Sequence, residues 1–160
     1  MSVITVRDAL EEYTLLGFDT IPLKPDSKMP RCNAWQSRNP HRMWRDVSGA
    51  VNIGIRGGGE SKVAILDCDE KSQPGTYENA KRWLESIGYS DYPVVQTASG
   101  IGRHIYVNFA GGLEGNYCNF TSDFGAGEFR YGSGAYVVAP PSIVDSTSYS
   151  LLQGDYQQLP

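Results

Sequence analysis

VAILDCD, residues 63–69, is an apolar run that stops on two aspartates. Lys62 to Asp67 has the β-branched density of a strand, and in a strand residues two apart point to one side. Asp67 and Asp69 are therefore expected to emerge together where a sheet meets solvent. Two like charges so placed repel unless a hard cation neutralises them, and carboxylate oxygens are the donors Mg²⁺ or Mn²⁺ prefers. The competing reading is a strand end that turns into a solvated acidic loop with Glu70. The run before it, Asn52 to Arg56, is also apolar, and GGGES (57–61) separates the two, which predicts a hairpin closed by a tight glycine turn.

Working outward, Val6, Leu10, Tyr13 and Leu16 share one face at helical spacing, with Thr5 able to cap the start and Gly17 to end it. A strand is predicted over Phe18 to Leu23. Lys24 to Gly49, broken by Pro25, Pro30 and Pro40, reads as a loop with a short helical turn around Asn39 to Val47. Thr76 to Ile87 repeats its apolar residues as a second helix and meets Gly88. Val94 to Thr97, His104 to Phe109, Glu128 to Tyr131, Tyr136 to Ala139 and Ser148 to Leu152 read as strands, most of them divided by glycine-rich turns. This order predicts an α+β domain in which helices cover a mixed, mostly antiparallel sheet.

The chain has 160 residues, 40% of them hydrophobic and 20% charged. That is room for one domain, 1–160, with the polar tail of about 153–160 a candidate start of a linker to further regions. No apolar run approaches the roughly 18–20 residues that span a bilayer, and MSVITVRDAL lacks the form of a secretory signal. A soluble protein that avoids membranes and stays in the cytoplasm is expected. Cys32, Cys68 and Cys118 are too far apart for a disulfide framework or a CxxC zinc site, and read as reduced thiols. The formal charge is −4, which on its face opposes nucleic-acid binding. Yet Lys24, Lys28, Arg31, Arg38, Arg42 and Arg45 stand against Asp26 alone in one segment. With Trp35 and Trp44, that segment can track a single strand through phosphate contacts and base stacking, or be a solvated loop with buried tryptophans.

Two further segments carry chemistry. In TASGIGRHIY (97–106) a Ser/Gly turn offers backbone amides, and Arg103 and His104 follow, a combination that suits a phosphate. The plain alternative is a glycine hairpin with a half-buried histidine. In GEFRYGSGAYVVAPPS (127–142), Glu128 and Arg130 alternate onto one face of a short strand, adding a third carboxylate and another cation, or a surface ion pair. Asp123 competes with Glu128 for the third acid. GIRGGG (54–59) lacks the GKS or GKT ending of a P-loop and reads as a turn, and Asn119-Phe-Thr reads as a chance glycosylation sequon.

Together the three segments resemble the prim-pol domain of the archaeo-eukaryotic primase superfamily: a carboxylate pair after an apolar strand, a Ser/Gly turn leading to histidine, and an acid, apolar, Arg sequence before GSGAYVVAPPS. NIGIRGG before the carboxylates, and Lys28 and Pro30 before Trp35, agree. The likeness runs from about Ala9 to Tyr149. It implies an RRM-like catalytic core and template-directed nucleotidyl transfer, as DNA primase and DNA polymerase on single-stranded DNA with (d)NTPs. It further implies two divalent ions, Mg²⁺ or Mn²⁺, on Asp67, Asp69 and Glu128, with His104 beside the phosphates. Ser99, Gly100, Arg103, Arg130 and Lys28 complete the nucleotide-binding set. Aspartate is commoner in the family where Glu128 stands. The zinc-binding insertion of some relatives has no counterpart here, so no zinc is expected. A setting at the N-terminus of a plasmid or phage replication protein, with a helicase region in the same chain or in trans, follows from the same likeness. The alternatives are a noncatalytic single-stranded nucleic-acid-binding module of this fold and a metal-dependent phosphodiesterase.

Overall fold

A computed structural model describes residues 5–122 and 125–160. Helix α1 (Val6–Leu15) begins on a capping box in which the Thr5 hydroxyl accepts from the Asp8 N–H and the Asp8 carboxylate accepts from the Thr5 N–H, satisfying donors that a helix start leaves open. Strand β1 (Thr20–Leu23) follows, then helix α2 (Pro40–Trp44), whose Asn39 side chain accepts from Arg42 N–H. After them come β2 (Asn52–Arg56), β3 (Val63–Cys68), helix α3 (Thr76–Ser86), β4 (Val94–Gln96), β5 (Arg103–Asn108), β6 (Tyr117–Ser122), β7 (Gly125–Arg130) and β8 (Tyr136–Val138). The short strands β9 (Ile143–Val144) and β10 (Thr147–Ser148) form a small hairpin, and β11 (Ser150–Gln153) returns to the main sheet.

The strands make a three-stranded sheet, β1-β2-β8, and a six-stranded sheet, β11-β4-β5-β3-β7-β6, and every pairing among the described residues is antiparallel. The architecture is α+β, as the order of elements predicts. The period of two divides the long sheet. Val63, Ile65, Val95 and Tyr106 face the small sheet and α1, meeting Ile21, Ile53, Ile55, Val137 and Tyr13 in the larger core. Cys68, Val94 and Ile105 face the other way and pack under Ala80 and Leu84 of α3. Each aliphatic side chain buried in this way contributes roughly 1.5–3 kcal/mol.

One expectation needs correction, and two observations add to the sequence reading. The runs 52–56 and 62–67 do not form a hairpin, because β2 lies between β1 and β8 whereas β3 lies between β5 and β7. Each run is an inner strand of its own sheet, with Asn52 to Arg56 and Val63 to Ile65 buried, so GGGES carries the chain from one sheet to the other. The crossing is tight: a Cβ on Gly57 would lie 2.5 Å from the Tyr131 carbonyl carbon, and Gly58 and Gly59 have φ of +84° and +73°, values that favour glycine. Strand β6 has no counterpart in the sequence reading. It is an edge strand whose Tyr117 and Cys118 are exposed, so no inward apolar alternation marks it. Residues 153–160 pack on the body, with Tyr156 in the larger core and the Pro160 carbonyl accepting from Asn108 N–H at 2.8 Å.

Candidate active site

Register builds the site. Asp67, near the end of β3, is directly opposite His104 of β5 on one side and Glu128 of β7 on the other. Glu128 is in turn opposite Asn119 of β6. Residues opposite one another in a ladder share a face, so four segments far apart in sequence give one polar row: His104, Asp67, Glu128, Asn119. The row begins where the shared core ends. One step back along the strands the partners are Tyr106, Ile65 and Arg130, and Ile65 and Tyr106 are fully buried.

Arg130 ties the acids together. Its Nη2 lies 2.6 Å from Glu128 Oε2 and 3.5 Å from Asp67 Oδ2, while Nη1 donates to the Tyr136 carbonyl at 2.6 Å. Its Nε is buried without a partner. His104, only 5% exposed, donates from Nε2 to Asp67 Oδ1 at 3.4 Å, and its Nδ1 is buried and unpaired. Burial by itself raises the Asp67 carboxyl, but the hydrogen bond and charge of His104, then the charges of Arg130 and Lys28, outweigh it and hold the group below the usual carboxylate range. Asp67 is thus ionised. The Tyr149 ring lies 6.2 Å from His104, and burial, then the charge of Asp67, pushes its phenol up to about 12.

Two cavities meet at this row. One, of about 270 Å³, is lined by Lys28, His104, Arg130, Tyr136 and Tyr149 with Asp67. The other, of about 510 Å³, is lined by Asp67, Asp69, Ser72, Asn119 and Glu128 with Arg130. Asp67 and Arg130 border both. One side is cationic and phenolic, the other carboxylate. Asp69 sits just past β3, fixed by its N–H to the Ala126 carbonyl at 2.9 Å, and its Oδ1 accepts from Ser72 N–H at 3.1 Å. Glu70 turns away to hold the start of α3, accepting from Gly75 N–H at 2.9 Å and from Tyr77 N–H.

The carboxylates are hard oxygen donors on one cavity, which fits Mg²⁺ or Mn²⁺ in kind and in side. Among the described residues, however, no three His, Cys, Asp or Glu side chains converge as a ready-made metal shell. The guanidinium of Arg130 stands between two of the acids. Asp123, the rival third acid, lies outside the described residues.

Ser99, Gly100 and Arg103 are not brought into either cavity. Ser99 Oγ accepts from Gly102 N–H at 3.0 Å and pairs with Thr97 Oγ1, and Gly100 N–H donates to the Thr97 carbonyl, so the turn consumes its own donors. Arg103 precedes His104 in the same strand and therefore points to the opposite face, where it lies 5.8 Å from the Tyr77 ring centre and donates to the carbonyls of Gly100 and Gly102. Adjacent strand residues cannot both face one phosphate.

The basic segment reaches the site through Lys28. Tyr136 Oη donates to the Lys28 carbonyl at 2.6 Å, and Trp35 meets the Tyr136 ring edge-on at 4.8 Å. Arg56, 4% exposed, fastens the segment from behind, with Nη1 donating to the carbonyls of Trp35 (2.7 Å) and Arg38 (3.0 Å) and Nη2 3.5 Å from Asp19. Trp44 is 7% exposed and donates from Nε1 to Thr20 Oγ1, so it is a core residue and offers no face to a base. Tyr136, Tyr149 and Ser72 were not singled out from sequence, and Asn119 was read only as part of a chance sequon. Tyr136 alone carried a signal, its place two residues before the buried end of a strand that begins at the site.

No helix among the described residues is long and apolar enough to cross a membrane. Comparison with curated proteins gives no match. A family model described as bifunctional DNA primase/polymerase, N-terminal, matches residues 10–160, a span that contains every residue of the polar row and both cavities. The chain belongs to the Prim-Pol family of bifunctional DNA primase/polymerases.

Proposed function

We propose that this domain performs template-directed nucleotidyl transfer on single-stranded DNA, making and extending primers from (d)NTPs, with Asp67, Asp69 and Glu128 holding divalent metal and His104, Lys28 and Arg130 receiving the triphosphate. The observation that carries the reading is the register that sets Asp67 between His104 and Glu128, at the junction of a carboxylate cavity and a cationic one. Bound among the carboxylates, Mg²⁺ or Mn²⁺ would supply activation of the primer 3′-hydroxyl and neutralisation of the leaving pyrophosphate. The chain's own work is positioning. Asp67 is kept ionised and ready to coordinate by the groups around it. His104 is fixed by Asp67 on one nitrogen and keeps a second, unpaired buried nitrogen that a phosphate oxygen or a water can satisfy. Lys28 is presented by a loop pinned through its own carbonyl. The exposed cations Arg31, Arg38 and Arg42, beside Trp35, supply phosphate contacts to a template. Replication of a plasmid or phage, and a helicase region working with this domain, rest on the sequence likeness.

The test is primer extension and de novo synthesis on single-stranded DNA with Mg²⁺ or Mn²⁺. Asp67→Ala with Asp69→Ala should lower incorporation by a factor on the order of 10³ or more, while single-stranded DNA binding stays within about threefold. Unchanged incorporation, or none in the unmodified protein with either ion, overturns the reading. Binding without incorporation would favour a noncatalytic module, and shortening of labelled DNA a phosphodiesterase.

A further inference from the structure

We infer that Arg130 is the resident counter-cation of the acid pair: it occupies Asp67 and Glu128 until a divalent ion takes them, and nucleotide phosphates draw it off, so that metal and nucleotide load together. This rests on the reading of the site as a nucleotidyl-transfer centre and adds an order of events to it.

Three observations support it. A single nitrogen, Nη2, contacts both carboxylates, at 2.6 and 3.5 Å. All three side chains are partly buried, so solvent screens the pairs less than it would at the surface. No other described cation makes an ion pair with Glu128. Next, the guanidinium is under-satisfied where it sits. Its Nε is buried with no acceptor, a state that costs free energy, and phosphate oxygens in a planar two-point contact suit such a fork. Finally, Arg130 already borders the cationic cavity with Lys28 and His104 as well as the acid cavity. Release from the acids therefore leaves it on the wall where triphosphate is proposed to lie. The same arrangement accounts for the lack of a ready-made metal shell: the acids are spaced for a guanidinium that must be exchanged.

The experiment measures Mn²⁺ binding by electron paramagnetic resonance of the free ion, without nucleotide or DNA, in the unmodified domain, Arg130→Gln and Lys28→Gln. Arg130→Gln should bind Mn²⁺ about tenfold more tightly, within the usual range of coupling between two sites. Lys28→Gln removes the same charge from the cavity wall without vacating the acids and should change affinity by less than about twofold. Equal affinity in Arg130→Gln and the unmodified protein overturns the inference but leaves the nucleotidyl-transfer reading standing, as does equal tightening by Lys28→Gln. Absence of Mn²⁺ binding in all three proteins overturns both. Should Arg130→Gln fail to fold by circular dichroism, nitrogen NMR of the arginine side chains in the unmodified protein decides. The Arg130 guanidinium signals, assigned with Arg130→Lys, should shift on adding Mg²⁺ with dNTP, and signals that stay in place overturn the inference.

Discussion

Tyr136 shows how much a single hydroxyl can set. It belongs to β8 of the small sheet, yet its Oη holds the Lys28 carbonyl and its ring backs Trp35, so it ties the wall of the cationic cavity to β8, while Asn52 of β2 holds the neighbouring Ser27 carbonyl. Tyr136→Phe keeps the ring and removes the bond. The expected outcome is a loss of about 0.5–1.5 kcal/mol in urea unfolding and a KM for dNTP raised a few-fold with kcat retained, since Lys28 loses its fixed position and the metal side is untouched. A fall in kcat at constant KM would contradict this assignment. At this scale the sequence was partly legible. Asp67, His104, Glu128, Arg130 and Lys28 were named and lie together. Arg103, Ser99 and Gly100 were named with them and lie apart, because a Ser/Gly turn can spend its donors on itself and strand alternation separates neighbours, and neither fact is visible without the ladder.

At the scale of elements, the acidic turn and α3 are one unit. α3 starts at Gly75, which has φ +94° and offers no side-chain cap. Glu70, five residues earlier, accepts from its first amides instead, as an N-cap side chain would. Glu70→Ala should therefore cost about 0.5–2 kcal/mol, read as a lower urea midpoint with an unchanged m-value, and hydrogen exchange should quicken at the start of α3 before it does in β3. Unchanged exchange at Gly75 to Tyr77 would show that the cap is dispensable. The helices and inner strands were readable from periodicity because they bury one or two apolar faces. What escaped was an edge strand with exposed Tyr117 and Cys118, and the partners of β2 and β3, since an apolar run states that it is buried and not against what.

For the whole molecule, the larger core is rich in tyrosine. Tyr13, Tyr106 and Tyr156 interlock with ring centres 5.2–5.6 Å apart along the chain of contacts. Burial first of all raises all three phenols above the ordinary tyrosine value, helped at Tyr13 and Tyr106 by the charge of Tyr156 and opposed at Tyr156 by its hydrogen bond with Tyr13, and Tyr149 is raised to about 12. An acid whose folded pKa is raised stays protonated in the fold. The stability tied to these groups is complete below the unfolded tyrosine value of about 10 and is lost as pH rises beyond it. Tyrosinate absorbance should therefore climb steeply above about pH 10, together with loss of sheet circular dichroism. A gradual climb over an intact sheet would contradict it. The register that builds the site has one more consequence. His104, Asp67 and Glu128 are joined by a ladder and by nothing in the connections between them, so the site depends on parity within the strands and not on the length of the connections. Residues may be added to the loops that join β3, β5 and β7 without moving the row. A single residue added inside β5 ahead of His104 would turn the imidazole to the α3 side and bring Arg103's successor in the ladder to the acids in its place.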